Sequence, residues 1–263
     1  VSRAPYLDGC YLVRERVPDG APFPFDLACV RDLDLAFDAP VTFFVGENGT
    51  GKSTVLEAIA ELCGFPPGGG ARDDGPDGPK SAPSRLAHAL RPRFRTRPRH
   101  GFFFRAETLA GFADTLERRD ADPDFLDFRP DKPRKADPFE LYGGKSLHQR
   151  SHGEAFVEVM RGRLGDGLFF FDEPEAALSP QRQLAFLALL DEHVGKRRCQ
   201  VLIATHSPLL MTFPGARILS FDDGPPRPIA ADETSHWRLT RAVLADPGRF
   251  WRSLREGDAP DPN

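Results

Sequence analysis

Hydrophobic positions along the chain fall into short continuous runs rather than long alternating stretches. Val41-Thr42-Phe43-Phe44-Val45 is mostly apolar and β-branched or aromatic throughout, and reads as a strand buried on both faces. Leu168–Phe171, Val201–Ala204 and Gly101–Arg105 share that character, and Arg217–Phe221 is a weaker version of it. Between these runs the spacing changes. Val55, Leu56, Ile59, Leu62 and Cys63 recur at helical intervals over 52–63, and Gly64, Pro66 and Pro67 end that helix. Further helices are expected over Thr108–Arg119, over Glu154–Arg163 and after Ser179-Pro180, where serine caps and proline takes the first helical position. Residues 6–45 read as a strand-rich opening, and the tail 232–255 as helical with a break at Pro247-Gly248. Strands alternating with helices predict an α/β fold, a mainly parallel central sheet with helices on both faces.

Two stretches interrupt this pattern. Residues 66–100 hold seven Pro and five Gly, a share typical of irregular chain, and 120–145 are again rich in Pro and Asp. Both are expected as irregular insertions in a single domain spanning 1–263, and no internal repeat is visible.

Composition adds a few limits. Hydrophobic residues make 40% of the chain and charged ones 28%, enough apolar material for a sizeable core. Thirty-five Lys and Arg against 39 Asp and Glu give a net charge of −4, which argues against whole-surface binding to nucleic acid or membrane. Charge is uneven, however. Arg91, Arg93, Arg95, Arg97 and Arg99 lie in a stretch without acids and could neutralise a nucleic-acid backbone. A solvated basic loop, or a partner for the acidic 120–140 stretch, fits the same residues. Four cysteines without a CxxC pair suggest reduced thiols, and no apolar run approaches the ~20 residues of a membrane span. A cytoplasmic protein is expected.

The most informative segment follows the first apolar run. Gly46-Glu47-Asn48-Gly49-Thr50-Gly51-Lys52-Ser53-Thr54 fits GxxxxGK[ST] and lies between a predicted strand and a predicted helix. Glycines let backbone N–H groups curl around phosphate oxygens, and the helix offers its positive end. In this arrangement Lys52 reaches the β- and γ-phosphates, Ser53 ligates Mg²⁺ and Thr54 reaches the α-phosphate. The run Leu168–Phe171 delivers Asp172 and Glu173 at its tip, the first suited to hold Mg²⁺ through water and the second to orient or deprotonate an attacking water. Val201–Ala204 delivers Thr205 and His206 in the same way, and His206 could hydrogen-bond a γ-phosphate or the attacking water. Ser151-His152-Gly153-Glu154 precedes a helix and by itself is an ordinary cap.

Taken in order, these elements resemble the ATP-binding-cassette ATPase superfamily. Gly46–Thr54 looks like its Walker A, Ser151–Glu154 its signature, Leu168–Glu173 its Walker B, Ala177-Leu178-Ser179 its D-loop and His206 its switch histidine. The resemblance covers 41–213 and is closest to small bacterial AAA-family ATPases of the soluble RecF, Rad50 and OLD branch. Ser-His-Gly-Glu in place of LSGGQ, and Thr-His-Ser-Pro in place of Thr-His-Asp, point away from a transporter subunit. The Q-loop glutamine is not evident; Glu107 takes its place after Gly101–Arg105 and is a candidate metal or water contact. Tyr11, Phe23 and Phe25 are upstream candidates for stacking on adenine. The resemblance implies a Mg-ATP hydrolase in which two chains sandwich ATP head to tail as a homodimer, with Ser151 and Gly153 completing the partner's site.

Two other classes fit a phosphate loop, the first being a phosphotransferase or GTPase. A GTPase is disfavoured because the only asparagines are Asn48 and Asn263, so Asn-Lys-x-Asp is absent. A small phosphotransferase is disfavoured by the long separation of Lys52 and Asp172. The other class, a nucleotide-gated binding or regulatory module with little turnover, has no evident need of Glu173.

Overall fold

The computed structural model describes residues 4–71, 84–105, 109–121, 126–127, 134–135, 137, 139–196 and 198–256. Along the chain run β1 (Leu7–Leu12), β2 (Asp34–Ala36), β3 (Val41–Val45), α1 (Lys52–Leu62), β4 (Gly70–Ala71), α2 (Arg85–Ala89), β5 (Leu90–Phe94) and β6 (Gly101–Arg105). There follow α3 (Leu109–Ala121), β7 (Leu126–Asp127), β8 (Arg134–Lys135), α4 (His152–Arg163), β9 (Gly167–Asp172) and α5 (Pro180–Gly195). The last elements are β10 (Cys199–Ala204), β11 (Arg217–Ser220), β12 (Arg227–Pro228), α6 (Ser235–Ala245) and α7 (Pro247–Glu256).

Seven strands form the central sheet in the order β12-β11-β3-β10-β9-β6-β4. The inner five are parallel, and the two-residue strands β12 and β4 close the edges antiparallel. The apolar runs are continuous because both faces of these strands are covered. Successive side chains alternate sides. Phe169 and Phe171 of β9 join one core with Phe43, Ile203, and Phe156 and Phe186 of α4 and α5. Leu168 and Phe170 join the other, with Phe44, Leu202, and Val55, Leu56 and Ile59 of α1. A smaller antiparallel sheet, β2-β1-β5, lies over that second core through Leu7, Cys10 and Leu35. This is the mainly parallel, doubly covered α/β fold expected from the sequence.

Phe170 is fully buried and meets Phe65 and Phe103 edge-on. Phe170→Ala should cost about 3–5 kcal/mol of stability, measured as a shift in the denaturation midpoint.

The stretch 66–100, read as irregular, contains β4, α2 and β5 among its described residues. Ser84 caps α2, its hydroxyl accepting from the Ala87 N–H. The strand β5 pairs with β1 over Leu7–Leu12, from Leu12 opposite Leu90 to Leu7 opposite Phe94, a partner far earlier in the chain. Its arginines lie at a sheet edge, so neither polarity nor local pattern marks it as a strand. In 120–145, β7 and β8 form a short antiparallel pair. None of the four cysteines is in a disulfide and all are buried, with the Cys10 thiol pushed up to about 12 by burial. No helix among the described residues is long and apolar enough to cross a membrane.

Candidate active site

The parallel register brings three strand tips level. Ala204 of β10 lies beside Phe44 of β3 on one side and Asp172 of β9 on the other. Ligands of open parallel sheets bind at such carboxyl ends.

From β3 the chain turns through Gly46, Gly49 and Gly51, all with positive φ, and enters α1 at Lys52. Gly51 has φ +98°, and a Cβ there would lie 2.6 Å from Cys29 Sγ. Gly51→Ala should therefore destabilise the fold by about 1–3 kcal/mol, readable in a denaturation midpoint. Lys52 is buried, and its Nζ donates to the carbonyl oxygens of Gly46 at 2.8 Å and Glu47 at 2.9 Å. Burial draws its ammonium below the ordinary lysine value, against the opposing pull of Glu173, Asp222, Asp172 and Glu47. A buried ammonium at the start of a helix suits an anion with several negative oxygens.

The Ser53 hydroxyl donates to Asp172 Oδ1 at 2.7 Å, and Arg105 Nε lies 3.5 Å from Asp172 Oδ2. Neighbouring oxygens around an octahedral Mg²⁺ are about 2.9 Å apart, given metal–oxygen distances of 2.0–2.1 Å. The hydroxyl and the carboxylate thus fit two adjacent positions of such an ion with little adjustment. Among the described residues no group of three or more His, Cys, Asp or Glu is placed to hold a metal.

Glu173 begins a tight turn with φ +47°, its N–H bonded to Ala204 O at 3.0 Å. This left-handed conformation is unfavourable for a residue with a side chain. It sets the carboxylate in the wall of the cleft with Lys52 and Ser53. His206 Nε2 lies 3.3 Å from Glu173 Oε1. The loop carrying His206 is pinned by Glu175 Oε1, which accepts from Thr205 Oγ1 at 2.7 Å and from the His206 N–H at 2.6 Å.

The cleft has a volume of about 260 Å³ and is lined by Asn48, Gly49, Gly51, Lys52, Ser53, Thr54 and Glu173, with Phe23 and Leu27 as its apolar wall. Of the three upstream aromatics, Phe23 is 62% exposed and faces this cleft. Phe25 is buried in the core, and Tyr11 lies under the Arg93 guanidinium, 5.5 Å from its ring centre. Thr50 Oγ1 donates within the loop to Glu47 O at 2.9 Å.

Other candidates lie elsewhere. Ser151 caps α4 in a capping box with Glu154, and Arg182 of α5 donates to Ser151 Oγ and to Glu154 Oε1, each at 3.0 Å. Gly153 is packed so closely that a Cβ would lie 2.5 Å from Arg182 Nη1. Neither Ser151 nor Gly153 lines the cleft. Glu107 lies outside the described residues. Nor does the arginine run reach the cleft. Arg93 pairs with Asp34 at 2.6 Å, Arg95 with Asp8 at 3.0 Å, and Arg97 lies over Phe94. Those acids belong to the small sheet and not to 120–140.

Sequence reasoning missed two contributors. Asp222, just beyond β11, accepts the Glu47 N–H at 2.7 Å and lies so close to Gly46 that a Cβ would be 2.7 Å from its Oδ1. An acid at the tip of a fourth parallel strand is a signal that was there to be read. His236, in α6, lies 3.3 Å from His206 Nδ1 and 3.7 Å from Glu47 Oε1. Nothing local in the tail announces that contact.

The chain is similar to several known proteins. The family described as "AAA domain, putative AbiEii toxin, Type IV TA system" matches residues 81–212, and a further AAA domain family matches 25–95. Translation initiation factor RLI1 of Saccharomyces cerevisiae is 23% identical over 230 residues. That match takes in 86% of this chain, which spans about a third (33%) of the relative's length. An ATP-binding cassette of an ABC transporter superposes with a TM-score of 0.50 and 13% identity, covering 94% of this chain and 98% of that one. The SMC head domain from Thermotoga maritima gives 0.43 and 15%, covering 86% and 98%. With a P-loop between β3 and α1, the chain belongs to the AAA domain family matched over 81–212, and its sheet has the fold of an ATP-binding cassette.

Proposed function

We propose that the chain binds Mg-ATP in the cleft at the tips of β3, β9 and β10 and hydrolyses it within a head-to-tail homodimer. The observation that carries this reading is the convergence of Ser53, Asp172, Glu173 and His206 beside a buried Lys52. The N–H groups of residues 46–54 cradle the phosphates, with Lys52 on the β- and γ-phosphates and Thr54 near the α-phosphate. Ser53 and Asp172 would hold Mg²⁺, which would neutralise charge on the β- and γ-phosphates. Glu173 orients a water and takes its proton as the water attacks the γ-phosphorus, the bond to the bridging oxygen breaks and ADP leaves, while His206 steadies the γ-phosphate. Phe23 offers its exposed face to adenine. Thr50, Asn48 and Glu47 shape the loop.

The resemblance to cassette ATPases implies the dimer, and the place of Ser151 and Gly153 supports it. Ser151 and Gly153 stand at the start of a twelve-residue helix, away from the cleft of their own chain. A second copy turned head to tail presents that helix start to the γ-phosphate. Because Arg93 and Arg95 have partners within the chain, nucleic acid is not part of this proposal.

Phosphate release from ATP, assayed with Mg²⁺ and with a chelator, tests it. Activity should require the metal, and specific activity should rise with protein concentration as dimers form. ATP bound but never hydrolysed at any concentration would favour a nucleotide-gated regulatory module.

A further inference from the structure

The helix α6 enters the site from the far end of the chain. Thr234, which is buried, caps it by accepting the Trp237 N–H, while its own hydroxyl donates to Ala231 O at 2.7 Å. This anchorage brings the first two residues of α6 against the phosphate loop. Ser235 Oγ donates to Glu47 Oε1 at 3.2 Å, and the His236 ring lies beside that of His206, centroids 5.0 Å apart.

We infer that His236 is a positioning residue for His206, holding it in the tautomer that donates from Nε2 to Glu173. This rests on the roles proposed above for Glu173 and His206. A neutral imidazole carries one N–H and one acceptor nitrogen. Glu173, as a carboxylate, can only accept, so His206 Nε2 at 3.3 Å must bear the proton. His206 Nδ1 is then an acceptor and needs a donor. His236 Nε2, 3.3 Å away, supplies one, and with the two side chains only 22% and 21% exposed, water competes weakly for that place. Without the donor, the other tautomer turns a lone pair on Nε2 toward the Glu173 carboxylate, and the histidine swings away.

The surroundings keep His236 suited to the task. Burial lowers its pKa below the ordinary histidine value; Glu47 and Asp222 oppose, while His206 and Lys52 reinforce the depression. The positive end of α6 acts in the same direction. His236 thus remains a neutral single donor at pH values where an exposed histidine is already charged. Through the same two residues, α6 ties the switch histidine to Glu47 of the phosphate loop.

The test combines ring-nitrogen NMR of the full chain with kinetics, using His236→Leu to remove the donor and His236→Gln to restore an N–H donor of similar reach. In the unmodified protein, His206 should give the ring ¹⁵N shifts of the Nε2–H tautomer. His236→Leu should convert them to a tautomer mixture and lower kcat about tenfold, part of the about 10²–10⁴ that a lost proton-transfer group costs. KM for ATP should stay within about twofold, as expected when ground-state binding is untouched. His236→Gln should recover most of the loss, and in a His206→Ala background His236→Leu should change nothing further. Unchanged His206 shifts in His236→Leu, a glutamine variant as impaired as the leucine one, or full additivity with His206→Ala would overturn the inference. An unmodified chain that shows no turnover contradicts the proposed hydrolysis instead, and the NMR arm still decides whether His236 sets the tautomer.

Discussion

Glu173→Gln is expected to bind ATP as the unmodified chain does and to hydrolyse it about 10²–10⁴ times more slowly, the range for loss of a general base. The substitution keeps size and hydrogen-bonding reach while removing the ability to accept a proton at pH 7. Its left-handed backbone position and its N–H bond to Ala204 O do not depend on the carboxylate, so the turn should survive. Because His206 Nε2 faces Glu173 Oε1, the amide can still accept that hydrogen bond if its oxygen turns toward the ring. Near-normal turnover in purified Glu173→Gln protein would remove Glu173 from the chemistry.

The same variant should show the second large effect. With saturating Mg-ATP it is expected to pass from monomer to homodimer and remain there, because the γ-phosphate that joins the two chains is not removed. The attraction is electrostatic. A triphosphate held by Lys52 in one chain keeps negative charge that the exposed start of α4 in the other can meet. Ser151→Arg in the Glu173→Gln background should abolish that dimer through the bulk of its side chain at the seam. It also removes a helix cap worth about 1 kcal/mol, so thermal stability and ATP affinity of the monomer serve as controls. Light scattering at matched concentrations decides it. Dimers that form normally in the Ser151→Arg double variant, or a Glu173→Gln protein that stays monomeric with ATP bound, would contradict the homodimer and leave a heteromeric partner.

The central strands were legible because they are buried on both faces. A run such as Leu168-Phe169-Phe170-Phe171 has few other places to go, and its tip then fixes where Asp172 and Glu173 stand. The phosphate loop was legible for a different reason: its glycines are needed for positive φ at 49 and 51, so their spacing carries backbone geometry. Edge structure was harder to see. Strand β5 alternates arginine with Leu90, Pro92 and Phe94, and only its pairing with β1 makes it a strand. Helix α2 is five residues long, too short for a helical period to show. Long-range polar contacts were not legible at all. That Arg93 meets Asp34, or that His236 reaches His206, depends on how distant segments pack, which no local pattern records.

Calorimetric titration of Mg-ATP into the unmodified chain and into Lys52→Ala bears most directly on the claim that this cleft is a nucleotide site. The account predicts saturable binding of one ATP per chain. Affinity should fall about ten- to a hundredfold in Lys52→Ala, as expected for losing a charge-assisted hydrogen bond worth about 1.5–3 kcal/mol. Equal affinity in the two proteins, or no binding to the unmodified chain, would contradict it.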